Sequence, residues 1–185
     1  MTTSRRHVFL IGAAVVSLAG CASPLSDVPD VDGAAADEAV AELQADGFDV
    51  EYTGGHEPAD DVADRWIVSA QRPQAGKGPA GATVELEVTS VLEAAAARCR
   101  IDGAIGDDGS SLELDMEGED FGSGDLSYTN VACVLSELDV PDSVVSKMDS
   151  TRSLDGRLTE DWNGIEATWT YHPDDGLDVI LELQR

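Results

Sequence analysis

Apolar and polar positions follow two different periods in the first half of the chain. Residues 48–52 and 84–88 alternate apolar and acidic side chains, which is typical of half-buried strands, and a further apolar segment lies at residues 66–68. Ahead of them, apolar residues recur at helical spacing up to Gly47, at Ala36, Ala39, Val40 and Leu43. This pattern predicts one helix, residues 37–45, on one side of a small antiparallel sheet of three strands.

The second half of the chain changes from strands to helices and back to strands. Asn163–Gly164, between two apolar alternating segments, is a strong signal for a hairpin turn. The pattern predicts strands at residues 99–105, 111–116, 157–162, 165–171 and 177–183, and helices at about 127–138 and 141–148. The fold class is therefore α+β, with about five strands and one or two helices in this half.

These patterns divide the chain into two domains. The first is residues 28–89, and the second, residues 99–185, resembles no family that we recognise. Between them, residues 90–98 are interpreted as a linker whose alanine content favours a helix. Residues 21–27 form a short polar tether in front of the first domain.

The first 20 residues have the order of a secretory signal, with Arg5 and Arg6 ahead of an apolar segment too short to span a bilayer. The segment ends in Leu18-Ala19-Gly20-Cys21, which resembles the lipobox of bacterial lipoproteins. The resemblance implies that Cys21 is acylated and anchors the protein to the outer face of the cell membrane. An ordinary signal peptide with an incidental Cys21 is the alternative. The paired arginines leave both the general secretory and the twin-arginine export routes open.

The charge of the chain is strongly negative. There are 37 acidic and 11 basic residues, for a net charge of −26 at pH 7. Such a surface repels the phosphates of nucleic acids and of anionic lipids, so binding to nucleic acid is excluded. Whether the acidity serves a function or reflects compositional bias stays open, and charge alone does not indicate a metal site.

With Cys21 assigned to the lipid, Cys99 and Cys133 remain as an even pair in an oxidising compartment. We expect them to form a structural disulfide. The alternative, a reactive thiol pair, needs a nearby base or a C-x-x-C spacing.

A family resemblance runs through the first domain. It is carried by the opening Val28-Pro29-Asp30-Val31-Asp32-Gly33, by the helix, and by Val68, Gln71, Pro73, Gly76, Gly81, Val84, Leu86 and Val88. Together they resemble a PASTA domain, an extracellular module of penicillin-binding proteins and serine/threonine kinases. The resemblance implies binding of peptidoglycan fragments or unlinked muropeptides, although some members of the family act only as spacers.

Four residues near the second predicted strand are the candidates for ligand contacts: Arg65, Trp66, Gln71 and Arg72. Arginine can pair with a stem-peptide carboxylate through two hydrogen bonds, and tryptophan can stack on a sugar face. The alternative for Trp66 is that it fills the core of a domain poor in aromatic residues.

No pattern for catalysis, a cofactor or a metal stands out. His56 and His172 fall in different domains, and no serine lies in a G-x-S-x-G or S-x-x-K setting. Acidic residues that could ligate calcium are better interpreted as a solvated loop: Asp115, Glu117, Glu119, Asp120 and Asp125. The aromatic residues Trp162, Trp169 and Tyr171 are better explained by core packing than by a carbohydrate-stacking strip.

We therefore expect a lipid-anchored, non-enzymatic protein that binds peptidoglycan fragments or a protein of the cell envelope. The alternatives are a PASTA domain that is only a spacer, with residues 99–185 as a protein-interaction module, and a cell-wall hydrolase seated in the second domain.

Overall fold

The structure, a computed structural model, describes residues 24–101 and 104–184. The predicted signal peptide and Cys21 lie outside the described residues. The first unit contains β1 (Leu25–Val28), α1 (Ala36–Ala45), β2 (Asp49–Thr53), β3 (Trp66–Arg72), β4 (Gly76–Pro79) and β5 (Thr83–Ser90). The second unit contains α2 (Val91–Cys99), β6 (Ile105–Gly106), β7 (Ser111–Asp115), α3 (Tyr128–Glu137), α4 (Asp142–Ser150), β8 (Leu158–Trp162), β9 (Ile165–His172) and β10 (Gly176–Leu183).

The main sheet of the first unit has the order β2-β5-β3. β3 pairs with β5 antiparallel, but β2 pairs with β5 parallel, with Val50 opposite Val84. The prediction of an all-antiparallel sheet is therefore wrong for this one pair. Alternation of apolar and polar residues shows which side chains share a face and carries no information on the direction of the neighbouring strand.

A second, two-stranded sheet joins β1 to β4, with Val28 opposite Gly76. β1 lies mostly inside the stretch that the sequence assigns to a tether. The strand was missed because its sequence Leu25-Ser26-Asp27-Val28 and that of β4, Gly76-Lys77-Gly78-Pro79, show no apolar alternation.

The second unit is built on a five-stranded sheet of order β6-β7-β10-β9-β8, in which every pairing is antiparallel. Alternate residues of the central strands, including Leu114, Trp169 and Leu181, are fully buried together with side chains of α2, α3 and α4. The α+β class is confirmed. The predicted strand at residues 99–105 is reduced to β6, because Cys99 is the last residue of α2.

The predicted linker, residues 90–98, is almost entirely helical, and β5 passes into α2 without a loop. Ser90 and Glu93 form a reciprocal capping box at this junction. Leu92, Ala95 and Ala96 of α2 are buried. The buried apolar side chains of both units belong to one connected cluster, so the two units share a core.

The disulfide between Cys99 and Cys133 is confirmed, with their Cα atoms 5.9 Å apart. It links the end of α2 to the middle of α3. Cys99 is buried and Cys133 is only half-buried, so the bridge lies at the edge of the core.

Candidate ligand site between the two units

A cleft of about 510 Å³ separates the loop after β2 from the second unit. The first unit contributes residues of the loop and Trp66 at the start of β3, and the second unit contributes the turn before β7 and the end of β10. The lining residues are Gly55, His56, Glu57, Pro58, Ala59, Val62, Trp66, Asp107, Asp108, Ser110, Glu182 and Leu183. The volume falls within the range of about 300–1,000 Å³ that is usual for small-molecule sites.

Trp66 forms part of the wall of this cleft and is only 3% exposed. Its indole Nε1–H has no hydrogen-bond partner among the described residues. An unpaired buried donor costs about 1–3 kcal/mol, so tryptophan N–H groups in protein interiors normally have an acceptor. The other two tryptophans follow that rule: Trp162 Nε1 donates to the Leu138 carbonyl at 3.1 Å and Trp169 Nε1 to Thr151 Oγ1 at 2.9 Å.

The imidazole of His56 lies against the Trp66 ring, with the ring centroids 5.2 Å apart and the planes tilted by 44°. His56 Nδ1 is also buried without a partner among the described atoms. Its Nε2 lies 3.5 Å from Glu93 Oε1. The two rings therefore cover each other, and both His56 Nδ1 and Trp66 Nε1 are left without a hydrogen-bond partner among the described residues.

Glu93 is the residue that joins the cleft to the junction of the units. Its Oε2 accepts hydrogen bonds from the Ser90 backbone N–H at 2.9 Å and from the Thr89 hydroxyl at 3.2 Å. The other oxygen faces His56, so the helix cap and the cleft share one carboxylate. This network fixes the position of Glu93 relative to both units.

The turn at residues 107–109 has an unusual backbone. Asp107, Asp108 and Gly109 have φ values of 48°, 51° and 90°. Left-handed geometry costs a non-glycine residue about 1–3 kcal/mol, and such strain is concentrated at functional sites. Gly109 is buried, and a Cβ there would lie 2.9 Å from Glu93 Cδ and 3.0 Å from Trp66 Cη2. Only glycine lets this turn approach the first unit so closely.

The cleft is electrostatically negative. Four carboxylates line it, those of Glu57, Asp107, Asp108 and Glu182, and its lining contains neither lysine nor arginine. In the same loop region, burial and then the negative charges of Asp60, Asp37 and Glu57 raise the pKa of Tyr52. The cleft thus favours an amine or another cationic group and disfavours a carboxylate.

The structure gives the four sequence candidates different surroundings, and among them only Trp66 lines the cleft. Arg65 donates from Nε to the Asn163 carbonyl at 3.1 Å and pairs with Asp64, so it braces the β8–β9 turn. The Arg65 guanidinium packs against Gly164 of that turn, in the space that a side chain at this position would occupy.

Gln71 is buried and its side-chain amide is fully used. Its Oε1 accepts from the Val31 N–H at 2.7 Å, and its Nε2 donates to the carbonyls of Pro29 and Pro73 at 3.0 and 3.1 Å. Arg72 is exposed at the far end of β3. No finding tests ligand contacts of these four residues, and that role stays a prediction.

Sequence reasoning missed His56, Glu93 and the turn residues Asp107 and Asp108 as parts of one site. The only local signal was the turn Gly106-Asp107-Asp108-Gly109. Nothing in the sequence indicates that this turn meets residues about 50 positions earlier, since that contact depends on the packing of the two units.

The described residues contain neither a cluster of metal-ligating side chains nor a helix able to span a membrane. Within residues 24–101 and 104–184, no three His, Cys, Asp or Glu side chains are grouped so that they could hold a metal ion. In the same described part of the chain, no helix has the length and apolar character needed to cross a membrane.

Comparison with known proteins identifies the first unit. Residues 26–90, from β1 to the end of β5, match the family model of the PASTA domain. The chain therefore carries a PASTA domain, a module that occurs in cell-wall-associated proteins and binds peptidoglycan-like ligands. No curated protein and no solved structure matches the chain.

Proposed function

We propose that this protein is a lipid-anchored, non-enzymatic protein of the outer face of the bacterial cell membrane, and that it binds peptidoglycan fragments. The observation that carries the proposal is the PASTA domain at residues 26–90. The lipobox-like Leu18-Ala19-Gly20-Cys21 supports the anchor. A wall-associated protein partner is the alternative ligand.

The inter-unit cleft supports a specific mode of binding. A muropeptide carries sugar faces, peptide acceptors, stem-peptide carboxylates and, in an unlinked stem, a free amine. The carboxylates of the ligand would have to stay outside this acidic cleft. The carboxylates of Asp108 and Glu182 would hold the amine, and a peptide oxygen would accept from Trp66 Nε1 once the His56 ring turns aside. The ligand would then accept a hydrogen bond from Trp66 Nε1, which has no acceptor among the described residues.

The position of β1 adds a spatial constraint. Leu25 begins β1 four positions after Cys21, and so few residues span at most about 14 Å when extended. An acylated Cys21 would hold the PASTA domain close to the membrane surface. The fragments within its reach are those at the membrane, where wall precursors emerge, rather than the outer layers of the wall.

NMR titration of the mature chain from residue 21, with Cys21→Ser to prevent acylation, tests this function. The ligand is a muropeptide with a free stem-peptide amine, and the control ligand is the same muropeptide with that amine acetylated. We expect a saturable shift of the Trp66 indole N–H, whereas the Trp162 and Trp169 indoles, already hydrogen-bonded, stay in place. No shift at millimolar muropeptide would overturn the proposal.

A pair of charge-matched variants locates the site. Asp108→Asn with Glu182→Gln should weaken binding by about two- to fivefold, the effect of exposed ion pairs. Glu42→Gln with Asp46→Asn removes the same charge from exposed positions at the end of α1 and should leave affinity unchanged. Equal weakening by both pairs would mean that only net charge matters.

Release of soluble fragments from purified wall would contradict the non-enzymatic assignment.

A further inference from the structure

A second cavity lies wholly in the second unit, between α3, α4 and one end of the sheet. It has a volume of about 680 Å³. Its base is made of buried residues of the helices, including Val131, Leu135 and Met148. Its walls are half-buried apolar residues of strand ends, of a loop and of α4: Met116, Tyr171 and Leu177 at strand ends, Val140 before α4, and Val145 within α4. We call this cavity the helical groove.

The groove exists because the sheet extends beyond the helices that cover it. Along β9, Ile165, Ala167, Trp169 and Tyr171 point toward the same side. The first three are buried, but Tyr171 is only half-buried and lines the groove. The core-facing side of the sheet thus continues past the packed helices and leaves apolar surface uncovered.

All charged residues on the rim of the groove are acidic. Asp139, Asp142 and Asp149 are exposed along it, and no lysine or arginine is among the lining residues. Lys147 of α4 pairs instead with Glu160 of β8. An apolar surface whose charged lining residues are all acidic suits an occupant with apolar side chains flanked by basic ones.

We propose that the helical groove binds a segment of a partner protein in which apolar anchor residues are flanked by lysine or arginine. The volume admits the three or so large anchors that an amphipathic helix presents at i, i+4 and i+7. This proposal stands independently of muropeptide binding, which concerns a cleft that shares no lining residue with the helical groove.

Two other occupants fit the groove less well. A second copy of the chain carries the same net charge of −26, which opposes self-association. A fatty acid or an anionic lipid would bring a negative head group to a rim that already holds three carboxylates. Neither objection applies to a cationic amphipathic segment.

The test uses the mature chain with Cys21→Ser and a synthetic amphipathic helix of about 18 residues made of leucine and lysine, a length that spans several turns. The control peptide has glutamate in place of each lysine. Binding is followed by calorimetry at physiological salt, and NMR locates the contact. We expect saturable binding of the lysine peptide, shifts at Val131, Val145 and Tyr171, and no binding of the glutamate peptide.

Two triple variants separate groove binding from attraction to an acidic surface. Asp139→Asn with Asp142→Asn and Asp149→Asn should weaken binding about tenfold or more. Asp46→Asn with Asp49→Asn and Glu51→Gln removes the same charge from exposed positions of the first unit and should change affinity less than about twofold, because exposed charges at a distance are screened. Equal weakening by both triple variants overturns the proposal.

Ala132→Trp fills the groove from its wall on α3 and should abolish binding. Because a large residue can disturb folding, Val145→Arg provides a second variant, which places a cation in the groove from a half-exposed position of α4. Unchanged binding in a folded form of either variant overturns the proposal. Concentration-dependent dimers that Val145→Arg abolishes would assign the groove to a second copy, and binding of anionic vesicles there would assign it to lipid.

Discussion

At the scale of single residues, the most consequential positions are those where one side chain serves both units. Glu93 caps α2 with one oxygen and faces His56 with the other. Arg65 reaches from the PASTA domain to the Asn163 carbonyl. Gly109 lets the strained turn approach Trp66. Glu93 and Arg65 act through particular side-chain atoms, and Gly109 acts through the absence of a Cβ. Single substitutions should therefore separate their contributions to stability.

Gly109→Ala should lower the free energy of unfolding by about 1–3 kcal/mol, since left-handed backbone disfavours a side chain and the new Cβ meets Glu93 and Trp66. Gly156→Ala is the matched control, because Gly156 has φ of 72° with nothing within 4 Å of a Cβ. Urea unfolding of both variants measures the difference. Equal losses of unfolding free energy in the two variants would mean that backbone strain alone causes the loss and that the close approach of the turn to Trp66 does not contribute.

Asp178 faces Asp115 directly across the β10–β7 pair. Burial, and then repulsion by Asp115, raise the pKa of the Asp178 carboxyl above its ordinary 3.8. A raised folded-state pKa in an acid means that ionisation disfavours the folded protein. The chain therefore loses stability as the pH rises through the raised pKa and regains it as the pH falls back toward 3.8.

Asp178→Asn should therefore stabilise the protein at pH 7 by about 0.2–1 kcal/mol, the size of the effect that other cross-strand side-chain pairs have, because it removes two like charges that face each other in the sheet. The gain should shrink as the pH falls and Asp178 takes up its proton. Asp46→Asn, at an exposed position, controls for the general benefit of removing one negative charge. A gain that is independent of pH, or equal in the control, would contradict this account.

Gln71 was a candidate ligand residue, and its three hydrogen bonds instead predict a structural effect. Gln71→Ala leaves a buried N–H and two carbonyls unpaired and should lower stability by about 1–3 kcal/mol. Arg72→Ala, at the exposed neighbouring position, should leave stability within about 0.5 kcal/mol. Thermal unfolding compares them, and a Gln71→Ala protein of unchanged stability would show that these bonds contribute nothing.

At the scale of elements, the disulfide joins α2 to α3 across a sequence separation of 34. The double variant Cys99→Ser with Cys133→Ser should lose about 2–4 kcal/mol of unfolding free energy, because the bridge restricts the unfolded chain. Reduction of the parent protein should give a similar loss in urea unfolding. Oxidised and reduced proteins of equal stability would contradict this prediction.

Most helices and strands were predictable because each has its own period. Leu112 and Leu114 alternate with exposed residues in β7, and Val131, Val134 and Leu135 recur along α3. The two-stranded β1–β4 sheet was not predictable, because it is held by backbone pairing between segments without apolar alternation. Likewise, the sequence made Trp66 a candidate for ligand contacts, a role that stays a prediction, but it gave no sign that the Trp66 ring lies against His56, because that contact depends on tertiary packing.

At the scale of the whole molecule, the shared core bears on whether the two units unfold separately. One cluster of buried apolar side chains runs from Val28 to Leu183. We expect a single cooperative transition, in which probes in the PASTA domain and in the second unit report the same midpoint in urea. Two separated midpoints would show that the units are thermodynamically independent and that the helical connection is a spacer.

The loop-free passage from β5 into α2 also has a mechanical consequence. A flexible linker would absorb a pull between a membrane anchor near β1 and a partner held in the helical groove. Here the strand and the helix meet at one residue, Ser90, which caps α2 and is fully buried. If Cys21 is acylated and the groove is occupied as proposed, we expect tension applied at one end to be transmitted through β5 and α2 to the other end.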